Sequence, residues 1–211
     1  MSRRKGKSTG ALKELTRRHI QEAVTRAVMR VGVSGLTMDR IAEEAGIAKG
    51  TIYLHFRTKN DLVRATIEWC LNPLIDELVV MLESDVPPDE RLRRLTEHHL
   101  AFFEDRRDLF RVLLHERSRA QTRSDRRRSS LYKKLVEKTA AVIEAGVESG
   151  VFRRVDSAKL AGMIVEANIS VIGNRLLDDR RCSALEDARF LSGVFMDGIL
   201  HPTSHAARSK L

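Results

Sequence analysis

Four prolines, at positions 73, 87, 88 and 202, are all that this 211-residue chain contains, so residues 89–201 run without one. Proline ends helices more firmly than any other residue, because its ring fixes φ and removes a backbone donor. No pair of turn residues is flanked by the alternating apolar positions of a β-hairpin. An all-α fold is therefore expected. Ile20, Ala23, Val24, Ala27, Val28 and Val31 recur on one face of an amphipathic helix, which Gly32 and Gly35 end. Thr37 suits the N-cap of a short helix reaching Ala45, Gly46 breaks it, and Ile47–His55 supports another. Thr58-Lys59-Asn60-Asp61 fits a capping box opening a long helix to about Leu82, kinked at Pro73. Asp85-Val86-Pro87-Pro88 is the clearest break. Helices near 89–104, 107–117, 124–149, 156–177 and 184–200 follow, making nine in all, with Gly150-Val151-Phe152 as a turn.

Composition narrows the class. With 42% hydrophobic and 32% charged residues, the chain reads as a soluble globular protein. No run approaches the ~18 apolar residues of a membrane span, and the charged start lacks a secretory signal's apolar centre, so a cytoplasmic location is expected. Two cysteines, Cys70 and Cys182, support neither a disulfide framework nor a four-thiolate zinc site. The charge is unevenly placed. Residues 1–60 hold 13 Lys and Arg against 5 Asp and Glu, a net of +8, whereas the other 151 hold 25 against 24. A polyanion-binding end joined to a neutral body follows, although charge alone does not separate DNA from RNA or anionic lipid. Arg117–Ser130, rich in arginine, reads as a solvated loop.

Thr37 to Lys59 is the most informative stretch. Two short helices joined by a glycine turn form a helix-turn-helix unit, whose second helix lies in the DNA major groove. Ala42 is small enough for close helix approach, Gly46 is free to take φ > 0, and Ile52 is apolar where the helices meet. That spacing alone also suits any two-helix hairpin. The intervening residues go further: LTMDRIAEEAGIAKGTIYLHFRTKNDLV closely resembles the DNA-binding domain of the tetracycline-repressor (TetR) family of bacterial transcriptional regulators. The match runs through Thr37, Ile41-Ala42, Ala45-Gly46-Ile47, Lys49-Gly50-Thr51-Ile52-Tyr53, His55-Phe56, Lys59 and Leu62.

The resemblance implies a nine-helix, all-α chain: a basic flexible arm over 1–12, a three-helix DNA-binding domain over 13–58, a helical effector-binding and dimerisation domain over 59–200, and a flexible tail over 201–211. It implies a ligand-responsive regulator, most often a repressor, that binds a palindromic operator as a homodimer. The alternative is a helical small-molecule-binding protein without specific DNA binding. Lys49, Gly50 and Thr51 would open the recognition helix, Tyr53 and His55 would face DNA, and Lys59 would clamp a phosphate, with Thr37 and Arg40 as further backbone contacts. Arg3, Arg4, Lys5 and Lys7 are candidates for minor-groove contact or a solvated tail.

For the remainder, inward-facing residues of the middle helices are candidates to line an effector pocket: Trp69, Phe102, Phe103, Phe110, Leu113, Leu114 and Met163, with Asn72, His99 and Asn168 as polar handles. Such a lining suits a hydrophobic or amphipathic molecule. Residues 156–177 are apolar on more than one face, which asks for cover beyond their own domain. The family's intersubunit four-helix bundle would supply it, through Leu160, Ile164, Ile172, Leu191 and Phe195. Catalytic patterns are lacking: His98-His99 are adjacent and diverge on a helix, and no phosphate-binding glycine loop, nucleophile elbow or C-x-x-C occurs. No enzyme activity, metal or cofactor is expected.

Overall fold

The computed structural model describes the backbone of residues 3–119, 130–177 and 183–200, and side chains over 10–115, 130–176 and 183–200. Among the described residues there are nine helices: α1 (Arg3–Val31), α2 (Met38–Ala45), α3 (Lys49–Tyr53), α4 (Lys59–Leu82), α5 (Pro88–Phe102), α6 (Arg107–Arg119), α7 (Ser130–Glu148), α8 (Ser157–Leu177) and α9 (Ala184–Ile199). None of them is long and apolar enough to cross a membrane. The Arg117–Ser130 stretch falls almost wholly outside the side chains described.

Two compact units share the chain. Residues 1–71 and 111–119 form the first, residues 72–110 and 120–211 the second. The division falls at Leu71 rather than at Lys59. Leu62, Val63, Ile67 and Leu71, on the first half of α4, fall in the first unit and are buried. The start also differs from expectation: residues 3–12, read as an arm, belong to α1.

Local chemistry sets the first unit's corners. The Thr37 hydroxyl accepts the backbone N–H of Arg40 at 3.2 Å, capping α2. At its other end Gly46 takes φ 62°, Ile47 N donates to Ala42 C=O and Gly46 N to Glu43 C=O, both at 3.1 Å. This six-to-one and five-to-two pair is a Schellman cap, which needs a left-handed residue and so favours glycine. Thr58 caps α4 by accepting from Asp61 N at 3.1 Å, while the Asp61 carboxylate turns to Arg64. Ile20, Ala23, Val24 and Ala27 of α1 are buried with Ile41 and Ala42 of α2, Ile52 of α3 and Leu62 of α4. Gln21 reaches Ala65 C=O at 2.8 Å and His19 donates to Ala45 C=O at 2.8 Å, tying α1 to both neighbours.

In the second unit α8 buries Ala161, Ile164, Val165, Asn168, Ile172, Arg175 and Leu176. Most of its apolar surface is thus covered inside the chain, by packing against α7, α5 and α9. A capping box at Ser183 and Glu186 starts α9. The turn after α7 rests on Gly150 at φ 73°. Beyond it Phe152 pairs with Leu200, Arg153 N donates to Ile199 C=O at 2.8 Å, and the Phe152 ring lies against Gly146.

Candidate nucleic-acid interface

The exposed face of α3 is short and built from small parts. Gly50 is exposed with nothing within 4 Å of where a Cβ would stand, and Tyr53 is 48% exposed. Ile52 behind it is fully buried and Phe56 nearly so. One side of this helix therefore fastens it to the core while the other presents Lys49, Gly50 and Tyr53. Thr51 is half-buried.

Four of the eight sequence-predicted contact residues also hold the unit together. Thr37 caps α2, and Arg40 Nη1 donates to Gly35 C=O at 2.9 Å. Lys59 Nζ donates to Leu36 C=O at 3.0 Å, which ties the start of α4 to the α1–α2 turn. Lys49 Nζ is 2.9 Å from the Asp39 carboxylate. That hydrogen bond, and the Asp39 charge with it, hold the Lys49 ammonium above its ordinary range.

His55, half-buried, brings in two residues that the motif does not mark. Arg17 of α1 stacks over the Phe56 ring at 4.4 Å from its centroid, and its Nη1 lies 3.5 Å from His55 C=O. Burial, then the charges of Lys13 and Arg17, push the His55 imidazole below its usual value. The only signal in the sequence was the i, i+4 spacing of Lys13 and Arg17 on α1, which by itself describes any basic helix face.

The expected effector residues divide. Trp69, Leu113 and Leu114 belong to the first unit, and Asn72, His99, Phe102, Phe103, Phe110, Met163 and Asn168 to the second, so the ten form no single cluster within either unit. Two are on the surface: Asn72 is exposed and Met163 is 61% exposed. The middle of the set does assemble. Phe103 meets Phe102 and Phe110 edge to face at 5.0 Å and lies 6.2 Å from the His99 ring. Asn168 Nδ2 faces His99 Nδ1 at 3.5 Å, and Asn168 Oδ1 is buried without a hydrogen-bond partner among the described residues. Burial first, then the neighbouring His98, lowers the His99 pKa to about 4, so the ring is neutral near pH 7. Elsewhere on this unit a surface groove of about 580 Å³ is lined by Met81, Arg94, Ala101, Glu104 and Leu185, among others, none of them predicted. No group of three or more His, Cys, Asp or Glu among the described residues could hold a metal ion.

The residues expected at a dimer interface also shift. Ile164, Ile172 and Leu191 are buried within the second unit, and Leu160 and Phe195 are half-buried. Among the described residues, the large apolar side chains left outside on the last two helices are Met163, Leu185, Phe190 and Val194, between 46% and 69% exposed. Helical periodicity marks which positions share a face, but not which face a neighbouring helix of the same chain occupies.

Comparison with known proteins bears on both units. The family model "Bacterial regulatory proteins, tetR family" matches residues 21–66, and "Tetracyclin repressor-like, C-terminal domain" matches residues 85–172. Together they take in more than half of the chain. The HTH-type transcriptional regulator TtgR of Pseudomonas putida is 33% identical over 43% of this chain and 52% of its own. The chain spans about half the length, or less, of the curated relatives it matches first. A TetR transcription regulator from Haloarcula marismortui has a similar structure, with TM-score 0.75, 26% identity, and coverage of 89% of this chain and all of that one. So does the regulator FadR of Bacillus subtilis, solved with stearoyl-CoA, with TM-score 0.75, 19% identity, and coverage of 87% and 98%.

Proposed function

The chain belongs to the tetR family of bacterial regulatory proteins, and from that we propose that it is a sequence-specific, ligand-responsive transcriptional regulator, a repressor, that binds a palindromic operator as a homodimer. The observation that carries this reading is the exposed Lys49–Tyr53 face, fastened from behind by buried Ile52 and set by the Gly46 cap. A helix presented this way suits a major groove. The surplus charge of +8 in residues 1–60 favours a polyanion.

The second unit is the effector domain in this reading. Its buried His99–Asn168 pair beside three phenylalanines fits a largely apolar ligand with one polar group. α4 is a single helix from Lys59 to Leu82 and runs from one unit into the other, so it is the element through which effector and operator would be coupled. By linkage, an effector that weakens operator binding must itself be bound more weakly by the operator complex, to the same factor.

Selection of duplexes from a random pool tests the reading. Expected is a palindromic consensus with half-sites about one helical turn apart and a steep salt dependence. Equal affinity for selected and random duplexes at ~0.15 M salt would refute it. Operator affinity measured with and without a screened ligand then tests the coupling, and a tight ligand that leaves operator affinity unchanged counts against it.

A further inference from the structure

Lys13 and Arg17 stand one turn apart on α1, and among the described residues neither pairs with a carboxylate. Glu14, the nearest acid in sequence, faces Arg18 at 3.5 Å instead. Arg17 Nη1 lies 3.5 Å from the C=O of His55, which follows the exposed end of α3, and Lys13 stands one turn before Arg17 on the same face of α1. Three cationic or protonatable groups from two separate elements thus converge with no anion among them. Like charges gathered in this way repel and are relieved by a bound anion. Arg17 is moreover held in place, its guanidinium stacked 4.4 Å over Phe56, so little side-chain freedom remains to be lost on binding.

We propose that Lys13, Arg17 and His55 form a phosphodiester site that grips the DNA backbone beside the recognition helix and carries the contact onto α1. This rests on the DNA-binding reading above. Duplex DNA is the source of the phosphate because His55 stands two residues after Tyr53, which is 48% exposed at the end of α3. A backbone seated on the cluster would position the base-reading residues without itself carrying sequence information.

The test compares wild type, Lys13→Ala, Arg17→Gln, Arg17→Lys and the Lys13→Ala/Arg17→Gln double variant on a selected duplex and a random one, from about 50 to 200 mM salt. Lys13 is exposed, so its replacement leaves the core untouched and decides the matter even if Arg17→Gln unfolds. Expected is a loss of about 0.9 in the slope of log affinity against log salt for each cation removed, on both duplexes, with Arg17→Lys restoring it. Replacing single phosphates by neutral methylphosphonates should weaken wild type at one backbone position per half-site and leave the double variant unaffected there. Unchanged slopes for Lys13→Ala and Arg17→Gln, alongside a lowered slope for Lys49→Ala, would overturn the site while leaving DNA binding intact. So would a methylphosphonate effect that both proteins share at every position. A wild type that does not distinguish selected from random duplexes would overturn site and function together.

Discussion

His99 and Lys59 show how single residues serve more than one end. The His99 ring is 5% exposed, among Phe103 and Asn168, and burial holds its pKa near 4 against 6.5 in the unfolded chain. Between those values the unfolded chain binds the proton that the folded one refuses. Stability is therefore fully present above pH ~6.5 and falls as the pH drops toward 4, by on the order of 3 kcal/mol. Urea midpoints of wild type and His99→Gln across that range should converge as the pH falls; parallel curves would show that His99 is not the group responsible. Lys59, expected as a phosphate clamp, donates to Leu36 C=O. Lys59→Ala should therefore lower the thermal midpoint, by about 1 kcal/mol of lost hydrogen bond, as well as weaken binding to all duplexes. A loss of affinity with an unchanged midpoint would mean that the Leu36 contact contributes nothing.

At the scale of elements, the turns are short-range chemistry and the junctions are not. Thr37, Gly46 and Thr58 each act within five residues of themselves, through one hydroxyl or one left-handed backbone. The junction at the end of α7 needs partners from further away. Gly146 is buried against the Phe152 ring, and an added Cβ would lie 2.1 Å from a ring carbon. Gly146→Ala should therefore cost at least 1–3 kcal/mol through overpacking, although alanine is the better helix former. Chemical denaturation measures it, and a neutral or stabilising effect would contradict the packing described. Pro73, exposed inside α4, does not end the helix.

For the whole molecule, the question is which apolar surface is left after the chain has packed on itself. Met163, Phe190 and Val194 remain outside on α8 and α9, whereas Ile164 and Ile172 do not. Phe190→Asp or Val194→Asp should give a folded monomer, because the new charge meets the proposed partner subunit rather than the chain's own core. Ile164→Asp should instead unfold the protein by burying an unpaired charge. Sedimentation and circular dichroism of the three variants separate the cases. A wild type monomeric at micromolar concentration would remove the dimer from the proposal.

What could be read from residues alone was whatever depends on neighbours a few positions away. Absence of proline, apolar periodicity and the caps at Thr37, Gly46 and Thr58 foretold the helices and the α2–α3 corner, since caps and turns are satisfied within one or two turns of chain. The exposed Lys49–Tyr53 face was legible for the same reason: Ile52 and Phe56 mark its buried side. Tertiary structure decided the rest. It brought Arg17 to His55 across 38 positions, engaged Lys59 with Leu36, and divided the expected effector residues between two compact units. It also turned Ile164 inward and Met163 outward, one position apart on a helix that is apolar nearly all round. No period distinguishes those two faces, because the choice depends on where α5, α7 and α9 pack, and that follows from contacts distant in sequence.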